Sequence, residues 1–331
     1  MTYAPPPRHV RPLGGDTART ASRGALVSLS DRILGNDARS HALVIPRKPS
    51  WIRAQMPGGE GYERLRSLVA EQGLHTICQE ASCPNIGECW ARGTATIMIL
   101  GDICTRSCGF CNVRTGKPLP VDPGEASSVA TAIAALGLRH IVVTCVDRDD
   151  LPDGGAAAWA DTIRAIHRQS PGTTVEALVG DLQGNAGDLD VIIAAAPEIL
   201  AHNIETVRRM HPAVRPQARY ERSLAVLRHI ADAGCRCKTG IMVGIGETDE
   251  EVDQVLRDIR ERGHASIITI GQYLQPTRNH LPVDRWVHPS QFDAWRERAL
   301  DIGFEVVESG PLVRSSYHAE EQARRPVRST S

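Results

Sequence analysis

From Thr94 onward the chain alternates short apolar runs with longer amphipathic stretches, and the change of period predicts alternating strands and helices. The runs Thr96–Leu100, His140–Thr144, Thr174–Leu178, Glu198–Ala201, Lys238–Val243 and Ser266–Ile270 read as buried strands. Helices are expected between them. Ser127–Leu136 is Ala-rich and stops at Gly137, Ala156–Arg168 puts Trp159, Ile163 and Ile166 on one face, and Glu221–Ala233 repeats Leu224, Leu227 and Ile230 before Gly234. Thr248, followed by Asp249, Glu250 and Glu251, marks an N-cap with acids in the first turn, ahead of the apolar stripe Val252, Val255, Leu256 and Ile259.

Strands alternating with helices imply a parallel sheet wound one way, and six strands fall short of the eight that close a TIM barrel. The expected fold is therefore α/β: a partial (β/α)6 TIM-like barrel with N- and C-terminal extensions. Its functional face is expected at the C-terminal ends of the strands, where the loop after Leu100 begins. Residues 1–50 are rich in Pro, Gly, Arg and Ser without sustained periodicity, and are expected to form a partly disordered extension. Residues 51–93 form a second segment, with a helix over Tyr62–Val69; 94–285 hold the barrel, and 286–331 a C-terminal extension.

Cysteine placement changes the picture from fold to chemistry. Six of the nine cysteines fall in two triplets, Cys78, Cys83, Cys89 and Cys104, Cys108, Cys111. Three thiolates are one fewer than close a structural zinc site or an ordinary iron-sulfur cluster, so each triplet reads as a metal centre with one position left over. The second has the spacing C-x-x-x-C-x-x-C, too tight for the paired ligands of a zinc ribbon. Structural zinc would need a fourth ligand for each triplet. A disulfide framework would need a secreted chain, and Met1–Ser50 has no continuous apolar core of the signal-peptide kind. Cys145, inside an apolar run, reads as core. Gly244-Ile-Gly246 lacks the third glycine of a nucleotide fingerprint and reads as a βα turn, and Asn203-Ile-Glu205 as a surface turn.

Charge and composition narrow the partners. Among 331 residues, 38 basic and 39 acidic side chains leave a net charge of −1, so nothing argues for nucleic acid or an anionic membrane. Aromatics, at 4%, offer no stacking platform for single strands. No apolar segment approaches the ~20 residues of a membrane span, and a cytoplasmic protein is expected.

The second triplet, with Phe110 before its last cysteine, resembles the signature of the radical S-adenosylmethionine (SAM) enzymes. Both triplets in this order resemble the lipoyl synthases within that superfamily. So do Met242-Val-Gly244-Ile-Gly246-Glu-Thr, His202-Asn203-Ile-Glu205-Thr and Arg314-Ser315-Ser316-Tyr317, and the likeness runs from about residue 48 to 320.

The resemblance implies two [4Fe-4S] clusters. One, on Cys104, Cys108 and Cys111, would bind SAM through its open iron, with Phe110, Asn203, Glu205, Gly244 and Gly246 as cofactor-binding positions. The other, auxiliary, would sit on Cys78, Cys83 and Cys89 within residues 51–93, with Ser316 as its fourth ligand and Ser315 the neighbour most easily confused with it. The implied reaction cleaves SAM to a 5'-deoxyadenosyl radical, which removes hydrogen from C6 and C8 of a protein-bound octanoyl-lysine. Auxiliary-cluster sulfides are then inserted, so Cys104, Cys108, Cys111 and Ser316 would be the catalytic set. Implied partners are octanoylated lipoyl carrier domains (2-oxoacid dehydrogenase E2 subunits and glycine cleavage H protein) and a reduced electron donor. This chain departs from the family at Cys145, where Ser is commoner, and at Val179-Gly180-Asp181-Leu182, where Thr-Pro-Asp-Phe is usual. The alternatives are another radical SAM sulfur-inserting enzyme, biotin synthase-like or a methylthiotransferase, and, from another class, a two-cluster electron-transfer protein. The last predicts four strong ligands per cluster, and three are present.

Overall fold

A computed structural model describes residues 47–54, 56–71, 74–80, 83–91 and 94–324. Most of the extension expected over 1–50 therefore lies outside the described residues.

The strands are β1 (His75–Thr76), β2 (Thr96–Ile99), β3 (Ile103–Cys104), β4 (Arg114–Thr115), β5 (His140–Cys145), β6 (Thr174–Leu178), β7 (Ile199–Ala201), β8 (Cys237–Val243), β9 (Ile267–Gln272) and β10 (Val306–Gly310). Eight of them form one sheet in the order β1-β2-β5-β6-β7-β8-β9-β10, with every pairing parallel except β1 with β2. All six expected strands are present, and the sheet ends at β1 and β10 without closing. The partial barrel thus stands as expected, with one addition. The C-terminal extension supplies a further parallel strand, β10, paired to β9 from Val306↔Ile267 to Gly310↔Gly271.

The helices form where caps and apolar spacing favour them. Glu125–Leu136 ends at Gly137 in the left-handed conformation (φ 61°). Asp249–Asp258 opens with the full reciprocal capping box between Thr248 and Glu251, and Val252, Val255 and Leu256 are buried. Among the described residues no helix is long and apolar enough to cross a membrane.

Near the N-terminal ends of the strands the barrel encloses a fully buried ion pair. Lys238 Nζ on β8 donates to both carboxylate oxygens of Glu176 on β6, at 2.7 and 2.8 Å, and both side chains have no solvent exposure. Each charge is tolerable there only because the other is present. Lys238→Met is therefore expected to cost about 3–5 kcal/mol in equilibrium denaturation. Adding Glu176→Leu should recover most of that loss, and a double variant no more stable than the single one would contradict the pairing.

Candidate active site at the strand C-termini

The chain turns out of β2 through Leu100 and Gly101, both at positive φ (67° and 91°), their N–H groups held by the Glu125 carboxylate. It then enters the loop of the second triplet. That loop is closed at its base by β3 and β4, which pair Cys104 with Thr115, and Gly116 N–H donates to Cys104 C=O at 3.0 Å. Its tip is fastened from the far side of the barrel. Gly109 N–H donates to Val214 C=O, Leu281 N–H to Gly109 C=O, and His280 Nε2 is 2.9 Å from Cys111 C=O.

The first triplet lies on two short helices, with Cys78 in Ile77–Glu80 and Cys89 in Ile86–Ala91, and Cys83 between them. Leu65, Val69 and Trp90 pack behind it. Two long-range bonds bring it to the other elements of the site. Asn112 Nδ2, just after Cys111, donates to Glu80 C=O at 2.8 Å, and buried Asn85 Nδ2 donates to Leu312 C=O at 2.6 Å. The second bond draws in the segment carrying Ser315 and Ser316. That segment crosses the end of β9 at Gly271, where any Cβ would stand 2.1 Å from Val313 O, so only glycine permits the approach.

Cys78, Cys83, Cys104, Cys108 and Cys111 therefore line one cavity of about 600 Å³, together with Phe110, Asn203, Glu205, Ser315 and Ser316. Cys89 faces a small adjoining space with Cys78, Cys83, Arg314 and Ser316. Gly244 and Gly246 are not among the lining residues. Their N–H groups, with that of Ile245, point at the buried Glu247 carboxylate (2.6–3.2 Å), and Gly244 packs under Gln272 and Arg285. The turn is thus satisfied by its own acid. Cys145, expected in the core, lines the cavity instead.

Burial dominates the electrostatics of the thiols. It pushes Cys108 up to about 11 and, with neighbouring thiols of the same triplet adding to it, Cys89 and Cys111 up to about 12. Such groups remain protonated in water and lose their protons to a metal. Among the described residues no three His, Cys, Asp or Glu side chains converge on a single-ion site. Two sets of soft donors spread around one cavity suit a polynuclear iron-sulfur centre, whose thiolates stand further apart than those around one ion.

The turn after β7, read from its local pattern as a surface turn and from the resemblance as cofactor-binding, lines the cavity, and two arginines beside it, Arg215 and Arg106, carried no local sequence signal. Glu205 is half-buried at positive φ (71°), its pKa raised by desolvation, and accepts from Asn203 Nδ2 at 3.0 Å. Asn203 Oδ1 is buried without a hydrogen-bond partner, and Gly240 leaves room for it, since a Cβ there would lie 3.0 Å away. Arg215 also lines the cavity, and its Nη1 donates to Asn203 C=O at 2.8 Å. Arg106, between Cys104 and Cys108, is buried among Asp147, Asp149 and Asp181.

Comparison with known proteins defines the class first. Residues 98–259 match the Radical SAM superfamily, and the fold resembles methylornithine synthase (TM-score 0.50, 14% identity, covering 76% of this chain and 79% of that one). It also resembles SuiB of Streptococcus suis bound to its precursor peptide (TM-score 0.51, 8% identity, 78% and 55%). A [4Fe-4S] cluster and SAM go with that superfamily. Residues 30–83 match the N-terminal domain of lipoyl synthase. Lipoyl synthase of Parabacteroides distasonis is 54% identical over 274 residues, 83% of this chain and 97% of that protein. Mitochondrial lipoyl synthase of Nematostella vectensis is 54% identical over 82% of this chain and 94% of its own. The chain belongs to the lipoyl synthase family.

His202, which lines the cavity, gives the site a pH signature. Its Nδ1 lies 3.0 Å from Val179 C=O and its Nε2 2.9 Å from Ser223 Oγ, and burial, with Arg215 next in weight, lowers its pKa to about 4. The folded state favours the neutral ring, so this contribution is complete above the unfolded value near 6.5 and is lost as pH falls toward 4. Between pH 7 and 4.5 it should remove on the order of 2 kcal/mol. Denaturation of His202→Gln in the same cluster state should show a shallower acid limb, and an unchanged limb would contradict the assignment.

Proposed function

We propose that this chain is a lipoyl synthase, inserting two sulfur atoms at C6 and C8 of a protein-bound octanoyl-lysine. The observation that carries the reading is the convergence of both cysteine triplets and Ser316 around one cavity at the strand C-termini. Cys104, Cys108 and Cys111 would hold the SAM-binding [4Fe-4S] cluster. Cys78, Cys83 and Cys89, with Ser316 opposite, would hold the auxiliary one. When bound, these groups supply an electron to break SAM and sulfide for insertion, chemistry that no side chain can perform on an unactivated C–H bond.

The protein's part is placement. The loop of Cys104, Cys108 and Cys111 is clamped at base and tip, which fixes where its thiols stand. Phe110, Asn203 and Glu205 line the space beside it, where SAM would sit. Gly244 and Gly246 contribute by shaping the β8 turn behind that space, with Glu247 holding their N–H groups. A hydroxyl at Ser316 is a harder, weaker partner for iron than thiolate, as suits a cluster that is dismantled in use. One cavity shared by both triplets would hold the octanoyl chain between the two groups and keep solvent away from it.

The substrates proposed are octanoylated carrier domains, namely 2-oxoacid dehydrogenase E2 subunits and glycine cleavage H protein, with a reduced electron donor and a cytoplasmic setting. Anaerobically reconstituted, reduced protein given SAM and an octanoyl-lysine peptide should yield a product with two added sulfurs by mass spectrometry. Cys104→Ala should abolish SAM cleavage and leave iron on the first triplet. 5'-Deoxyadenosine without sulfur insertion in the unaltered chain, or SAM cleavage retained in the variant, would overturn the reading.

A further inference from the structure

Arg106 sits inside the second triplet's loop, yet its side chain turns inward, with 2% exposure, to meet carboxylates from two other strand ends. Its Nε and Nη2 form a two-pronged bond with Asp149 (2.7 Å each), Nη2 also reaches Asp181 at 2.6 Å, and Nη1 lies 3.5 Å from Asp147. Asp147 and Asp149 follow β5, and Asp181 follows β6. One guanidinium therefore ties the loop after β2 to the loops after the next two strands.

The main chain completes the stitch. Thr105 N–H and Oγ1 both donate to Asp147 C=O (3.1 and 2.9 Å), and Asp149 N–H donates to Thr105 Oγ1 at 3.1 Å. Two backbone donors are thereby aimed at one sulfur. Arg106 N–H is 3.4 Å and Asp147 N–H 3.3 Å from Cys104 Sγ.

We propose that Arg106 is a positioning residue that sets the reduction potential of the cluster on Cys104, Cys108 and Cys111, by holding the Arg106 and Asp147 N–H groups on Cys104 Sγ. This inference rests on the reading of those cysteines as cluster ligands. Hydrogen bonds to cluster sulfurs favour the reduced, more negative state, and fixed positive charge does the same. A planar fork can serve Asp149 and Asp181 together. A lysine ammonium keeps the charge but cannot reproduce that geometry.

The test is an EPR-monitored redox titration of the full-length, reconstituted protein, following the signal that changes when SAM is added, with iron content and circular dichroism alongside. Arg106→Met should make reduction about tenfold less favourable, a shift of about 59 mV to more negative potential for a one-electron couple. Arg106→Lys should show at least half of that shift. Loss of iron from this triplet alone, with the fold retained, would equally support positioning. Thr105→Val removes the Oγ1 stitches without unpairing a buried charge and should shift the potential in the same direction, by less. Restoration of the original potential by Arg106→Lys would overturn the proposal in favour of charge alone. An unchanged potential and iron content in Arg106→Met would overturn it outright, and if that variant does not fold, an unchanged potential in Thr105→Val does so. Absence of any SAM-sensitive signal in the unaltered chain would instead refute the cluster reading beneath it.

Discussion

A backbone carbonyl lying directly over a strand glycine is the contact on which the site depends. Val313 O occupies the space that a side chain at Gly271 would need, so the chain beyond β10 can fold back across the end of β9. Without that approach the Arg314–Tyr317 segment would stand off the sheet, and Ser316 could not face the first triplet. The Asn85 bond to Leu312 acts at the other end of the same crossing. Parallel strands create the open end of the barrel, and this crossing furnishes it with groups from the far end of the sequence.

The cavity is assembled from groups that would be costly to bury singly. Six thiols, Glu205, His202 and Arg215 all lie around the described cavity or beside it, and burial is the largest influence on the thiols, Glu205 and His202. The protein meets part of that cost with fixed partners: Arg106 among three aspartates, Glu247 under its own turn, Asn203 on Glu205. What remains unpaired, such as Asn203 Oδ1, lies buried beside Gly240, on a residue that lines the cavity. The thiols differ: burial keeps them protonated, and a metal would be what replaces the proton.

Much of this was legible in the sequence because its signals are local. Apolar runs bounded by caps located the six strands, and the triplet spacing picked out the cysteines that line the cavity and the space beside it. β10 escaped because Val306-Val-Glu-Ser-Gly310 has only two apolar residues and owes its place to pairing with β9. The inward turn of Arg106 escaped because its partners lie about forty and seventy-five positions away. Gly244-Ile-Gly246 is the opposite case. Its pattern was visible as a candidate cofactor turn, while the acid that occupies its N–H groups, Glu247, was visible too and is the nearer partner.

The central claim is a division of labour between two metal centres sharing one cavity, and removing the first triplet alone tests it most directly. In the variant with Cys78, Cys83 and Cys89 all changed to Ala, assayed anaerobically with SAM, reductant and octanoyl-lysine peptide, the account predicts 5'-deoxyadenosine and hydrogen abstraction with no carbon–sulfur bond. Sulfur insertion by that variant would contradict it.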